Sequence, residues 1–252
     1  MRSIGFSTGA LAKGDFRRGV ALQTGDPRLR AIELSALRDH ELPALAAEAA
    51  GLALDHFTYV SVHAPSKLDR AGEAAVFDQI AALPPSWSVI AHPELLGDEE
   101  RWRSLGPRLC VENMDNRKTT GRTVDEVADL FEAFPEAGFC LDLGHARQID
   151  PTMATALRML RSFGPRLRQL HVSEVGPRGE HRPLSVLSVY AFLLVRDLIP
   201  PNCPVILESV VSEDEMAVEI RKNEALFRGG AGAFEASFSG ALEVLREAHG
   251  VQ

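Results

Sequence analysis

The sequence predicts an α/β fold: a single closed (β/α)8 barrel of the TIM-barrel class, with an extra helix at the C-terminus. Eight short apolar runs recur along the chain, and amphipathic segments with helical spacing lie between them. The 252 residues match the size of one such barrel, about 250 residues.

The apolar runs are residues 3–7, 31–35, 59–63, 88–92, 109–113, 139–143, 167–173 and 204–209. Near-continuous apolar strands of this kind belong to a parallel sheet covered on both faces. Between them, 41–54 is rich in alanine and apolar at helical spacing. Thr123, followed by Asp125 and Glu126, reads as the N-cap of a helix reaching Phe134. Pro151 fits the first turn of a helix ending near Phe163. Segments 182–198 and 213–227 have the same character, and 15–23 and 99–105 are shorter candidates. The glycine-rich stretch 229–232 separates these from a final helix over 233–248. Strict alternation leaves an open doubly wound sheet or a closed barrel, and eight repeats favour the barrel. No glycine-rich phosphate loop follows the first run, where Ser7-Thr8-Gly9-Ala10 stands. No linker interrupts the chain, so residues 1–252 read as one domain.

The formal net charge of −8 argues against general attraction to nucleic acid or anionic membranes. Cys110, Cys140 and Cys203 are an odd set in separate settings, which reads as buried core thiols and not as a disulfide framework. The N-terminus enters a strand pattern without an apolar signal core, and the longest apolar stretch, 184–195, is too short to span a bilayer. A cytoplasmic enzyme is expected.

The chemistry lies in what ends each strand. The third run ends in His63, the fourth in His92 and the fifth in Glu112. The sixth ends in Asp142 with His145 three residues on. The seventh ends in His171, followed by Glu174, Arg178, Glu180 and His181, and the eighth ends in Glu208. In a barrel these ends converge on one mouth. Imidazoles and carboxylates crowded there call for a cation, and divalent zinc, manganese or iron suits such donors. His40, His56 and His249 lie in polar or terminal segments and read as surface residues.

These residues resemble the superfamily that contains the xylose isomerase-like sugar isomerases and epimerases and the endonuclease IV class (AP endonuclease family 2). The resemblance runs from the first strand to the eighth. It is strongest in Val62-His63-Ala64-Pro65, in Phe139-Cys140-Leu141-Asp142-Leu143-Gly144-His145, and in Leu170-His171-Val172-Ser173-Glu174 leading to His181. The nuclease pattern implies a first metal on His63 and His92. Glu112 would bridge it to a second, held also by Asp142, His171 and Glu208, and His145 and His181 would hold a third. That pattern has an aspartate where this chain has Gly179, and Glu180 is adjacent. The isomerase branch implies one metal on Glu112, Asp142, His171 and Glu208, with the two glutamates shuttling protons and an arginine, matched by Arg178, binding substrate.

Two or three divalent ions per chain are therefore expected, with hydrolysis of a small phosphoester as the reaction and Glu112 and Glu208 as catalytic groups. Sugar or sugar-phosphate isomerisation is the alternative, and a non-catalytic metal-binding barrel is a third reading. Lys67, Arg117, Lys118, Arg147, Arg178 and Arg182 lie in loops beyond the strand ends as candidate phosphate ligands. Of these, Lys67, Arg147 and Arg178, together with Glu174, are the expected substrate contacts. A small substrate is expected and not abasic DNA, because the loop Ala64-Pro65-Ser66-Lys67 offers no aromatic wedge and the loop 36–40 is short.

Overall fold

The structure is a computed structural model that describes residues 2–68 and 70–228. In chain order the elements are β1 (Ile4–Phe6), α1 (Thr8–Ala12), α2 (Phe16–Thr24), β2 (Ala31–Ser35), α3 (Leu42–Glu48), β3 (Tyr59–His63), α4 (Glu73–Ala81), β4 (Ser88–Ala91), α5 (Glu99–Arg103) and β5 (Leu109–Glu112). They continue with α6 (Val124–Ala133), β6 (Gly138–Asp142), α7 (Leu143–Ile149), α8 (Ala154–Phe163), β7 (Leu167–Val172), β8 (Glu174–Val175), β9 (His181–Arg182), α9 (Val186–Leu193), β10 (Val205–Leu207) and α10 (Glu213–Arg228).

Eight parallel strands pair in the order β1-β10-β7-β6-β5-β4-β3-β2, and each predicted run supplies one of them. Between β1 and β2 the ring closes through single parallel bridges, Ile4 to Leu29 and Ser7 to Glu33. The Arg30 amide donates to the Ile4 carbonyl at 2.9 Å across that seam. Gly5 sits on the seam because a Cβ there would lie 1.6 Å from the Ala31 carbonyl oxygen.

Alternation along each strand sets the two layers. One set of side chains, including Leu34, Val62, Val89, Val111, Leu141 and Val172, packs in the main apolar cluster with Trp102, Phe131 and Phe192 of the helices. The other set turns into the barrel. There Ile90, Cys110 and Cys140 form a separate small cluster, two positions before His92, Glu112 and Asp142 on their strands. All three cysteines are free and buried.

Helix boundaries differ from the sequence expectation in three places. Residues 41–54 end their α-helix at Glu48 and pass through a 3-10 turn at Ala49–Gly51. Pro151 lies in a turn, not in the first turn of α8. The Asp150 carboxylate accepts the Thr152 and Thr155 amides at 3.0 and 2.9 Å, and Met153 takes a left-handed conformation (φ 62°) before the helix starts. Residues 182–198 are not one helix. His181–Arg182 pairs antiparallel with Glu174–Val175, and α9 begins only after a reciprocal Ser185/Ser188 cap. Thr123 and Glu126 form the expected capping box. Helices α1, α4 and α7 are additional. α7 starts directly off β6, because the Asp142 side chain accepts the His145 amide at 2.7 Å. The expected helix 233–248 lies outside the described residues. Among the described residues no helix is long and apolar enough to cross a membrane.

Candidate metal centre

The strand ends meet at the mouth of the barrel, on a cleft of about 480 Å³ that includes His63, His92, Glu112, His145, His181 and Glu208 in its lining. Glu112, at the end of β5, is the hub. Its Oε2 lies 3.1 Å from His63 Nε2 and 3.4 Å from His92 Nε2. Its Oε1 lies 3.1 Å from His171 Nδ1 and 3.4 Å from His145 Nδ1. Glu208 Oε2 is 3.6 Å from His171 Nδ1 and 3.4 Å from His181 Nδ1. Candidate ligand atoms fall within 4.8 Å of one another in two groups that share Glu112: His63, His92 and Glu112; and Glu112, Asp142, His171 and Glu208. A third overlapping group is His63, His171 and Glu208.

Outer partners aim the rings. His63 Nδ1 donates to the Ala64 carbonyl at 2.7 Å, which leaves Nε2 facing Glu112. His145 Nδ1 donates to the Asn113 carbonyl at 2.9 Å. His171 Nε2 donates to Glu33 Oε2 at 2.9 Å, which leaves Nδ1 facing Glu112. Asn113 ties the ends of β5 and β6 together by giving an N–H to the Asp142 carbonyl (3.0 Å) and taking the Asp142 amide (2.7 Å). Rings oriented by acceptors behind them are the usual support of metal-ligating imidazoles.

Two buried atoms of the cluster, Asp142 Oδ2 and His92 Nδ1, have no hydrogen-bond partner. Unpartnered buried polar atoms are costly, and a divalent cation shared with Glu112, His171 and Glu208 would meet the need of Asp142 Oδ2, whereas His92 faces Glu112 through Nε2 and turns Nδ1 away. The residues present therefore fit a metal centre.

Titration follows from the crowding. Burial pushes the Glu112 carboxyl up, but His171, His63 and His92 outweigh it and hold the group well below the usual carboxylate range. Burial dominates at Glu208, and with Glu112 and Asp142 nearby its carboxyl is raised to about 8 in spite of His171. His63 is opposed by burial yet raised to about 9 by its bond to Glu112 and by Glu33. Burial lowers His92, and burial with His145 nearby lowers His181 to about 4.

The expected substrate contacts spread more widely. Lys67 lines a smaller adjoining cleft with Ser66, His92, Glu94, Arg117 and Lys118. Arg147 and Glu174 face each other at 4.0 Å, and Glu174 also accepts the Ser185 amide at 3.2 Å. Arg178 sits at the tip of the β8–β9 hairpin with its side chain 89% exposed. His40 is exposed, and His56 is half-buried on the Asp26 carbonyl (3.3 Å).

Sequence reasoning passed over Glu33, Gln169 and Asp115. Glu33 is fully buried on β2, where it takes His171 and also a Gln169 side-chain N–H at 2.7 Å. A lone carboxylate inside an otherwise apolar strand was the available signal. Asp115, buried in the loop after β5, lies 3.8 Å from His145 Nε2 and accepts from Arg117.

No protein-family model and no curated protein matches the chain. Solved structures do. Endonuclease IV from Thermus thermophilus is 20% identical over 94% of this chain and 99% of its own, with a TM-score of 0.56. A xylose isomerase-like TIM barrel protein from Mycobacterium smegmatis, in complex with magnesium, is 16% identical over 93% and 98%, with a TM-score of 0.54. An AP endonuclease of family 2 from Brucella melitensis is 14% identical over 83% and 93%, with a TM-score of 0.50. At these identities the likeness is one of fold, the fold to which the sequence motifs pointed.

Proposed function

We propose that this chain is a metal-dependent hydrolase acting on a small phosphoester at the barrel mouth. The observation that carries the reading is the sharing of Glu112 between two groups of candidate ligands. His63 and His92 would hold one divalent ion, Asp142, His171 and Glu208 a second, and Glu112 both. Zinc suits this set of donors, as do manganese and iron. Ions so held would supply Lewis acidity, polarising a phosphoryl oxygen and lowering the pKa of water.

The chain's own groups set the conditions for that chemistry. Glu112 is held ionised and presents one oxygen to each group. Ala64, Asn113 and Glu33 keep the rings of His63, His145 and His171 in fixed tautomers. The cleft of about 480 Å³ suits a small molecule better than a duplex. Tight, salt-sensitive binding to duplex DNA carrying an abasic site would count against the small substrate.

One observation favours a second reading, sugar isomerisation or epimerisation on a single ion. Glu112 Oε1 and Glu208 Oε2 lie 3.1 and 3.6 Å from the same His171 Nδ1, and two carboxylates so paired can serve as acid and base. The test is turnover of phosphomonoesters and phosphodiesters by metal-loaded protein, beside interconversion of sugars and sugar phosphates. Metal-dependent phosphate release lost in Glu112→Gln supports the first reading. Sugar interconversion without phosphate release moves the second ahead.

A further inference from the structure

Arg117 lies in the loop between β5 and α6, and Asp115 braces it from below. The Arg117 amide donates to Asp115 Oδ1 at 2.8 Å, and Nε donates to Oδ2 at 2.9 Å with Nη2 bonded to the same oxygen. The guanidinium then lies against Gly179. A Cβ on Gly179 would fall 2.0 Å from both Cζ and Nε of Arg117, so the lack of a side chain there is what admits the guanidinium. Gly179 also has φ +75°, which an L side chain tolerates poorly. The Asp115 oxygen that holds Arg117 is 3.8 Å from His145 Nε2, and the His145 and His181 rings are 5.4 Å apart. A permanent cation thus already holds the Asp115 carboxylate that faces His145 Nε2, in the same cleft as the two imidazoles expected to take a third metal.

The same guanidinium is half-exposed, and it lines both the main cleft and the adjoining one that holds Lys67 and Lys118. Asp115 engages Nε and Nη2, so the fork keeps donors for a second acceptor. Glu180, the nearby carboxylate of the hairpin, is engaged by Arg182 and by the Arg178 amide. A planar fork fixed at the edge of a cleft is suited to bidentate capture of a phosphate.

We propose that Arg117, braced on Asp115 over Gly179, takes the place of a third metal ion and binds the phosphate of the substrate, so that the site works with two ions and one guanidinium. This rests on the hydrolase reading above. The test uses inorganic phosphate as probe, titrated by calorimetry into metal-loaded protein, with elemental analysis of the same samples. Arg117→Met removes the charge, and Gly179→Ala displaces the guanidinium without changing charge. Both are expected to weaken phosphate binding by about 10- to 100-fold, with Arg117→Lys between them and wild type, and with metal content unchanged at about two per chain. Phosphate affinity within about twofold of wild type in Arg117→Met overturns the inference while leaving the metal centre standing. A third ion in the wild-type protein overturns it as well. Wild-type protein that holds no metal overturns the hydrolase reading instead, and the Arg117→Met comparison then still tests the guanidinium alone.

Discussion

His171 Nε2 lies 2.9 Å from Glu33 Oε2, and both side chains are fully buried inside the barrel. Glu33 on β2 therefore sets which nitrogen of a β7 histidine faces the cleft. Gln169 shares the carboxylate at 2.7 Å, and Ser61 lies 3.4 Å from it. Glu33→Gln keeps the shape but removes the charge behind the ring. It is expected to lower metal affinity by about 10- to 100-fold, read by competition with a chelator, while secondary structure is retained. A lowered melting temperature with unchanged metal affinity would show that Glu33 serves the core alone.

The metal-free protein is expected to lose stability in mildly alkaline solution. Glu208 is raised from 4.5 to about 8 and His63 from 6.5 to about 9. Groups raised on folding contribute stability that is complete below their unfolded values and is lost as pH rises through the folded ones. With chelator present, the melting temperature should therefore fall between about pH 7 and pH 9. Glu112 has the opposite sign: its contribution is present above 4.5 and lost in acid. Metal must displace the protons on Glu208 and His63, so metal affinity should rise across the interval where metal-free stability falls. A melting temperature that rises with pH in the chelated protein contradicts this account.

The seam of the barrel offers a test of the fold. Gly5→Ala places a methyl 1.6 Å from the Ala31 carbonyl oxygen, a backbone atom that cannot swing aside. The two strands must part, at a cost of about 3 kcal/mol or more. Chemical denaturation should show that loss. Gly164→Ala has nothing within 4 Å and is expected to be nearly neutral by the same measurement.

The barrel was readable because its signal is repetitive. Buried parallel strands must be apolar, and each run from 3–7 to 204–209 overlaps one observed strand. The ends of those runs were readable too, since His63, His92, Glu112, Asp142, His171 and Glu208 break the apolar pattern at the same relative place. What escaped was set by partners distant in the chain. Glu33 acquires meaning only when β2 faces His171, 138 residues away in sequence. Arg117 and Gly179 meet across two loops, and nothing in either local sequence announces it. Pro151 misled because the side chain of Asp150 and a left-handed Met153 made a turn where a proline alone suggests a helix start.

Metal stoichiometry tests the central claim, that Glu112 joins two ligand groups, most directly. Elemental analysis of purified protein is expected to give about two divalent ions per chain, and His63→Ala with His92→Ala about one. The remaining ion should stay with Glu112, Asp142, His171 and Glu208, whose ligand atoms lie within 4.8 Å of one another. An unchanged metal content in the double variant would contradict the dinuclear reading, assign both histidines to the substrate, and put isomerisation on a single ion in first place.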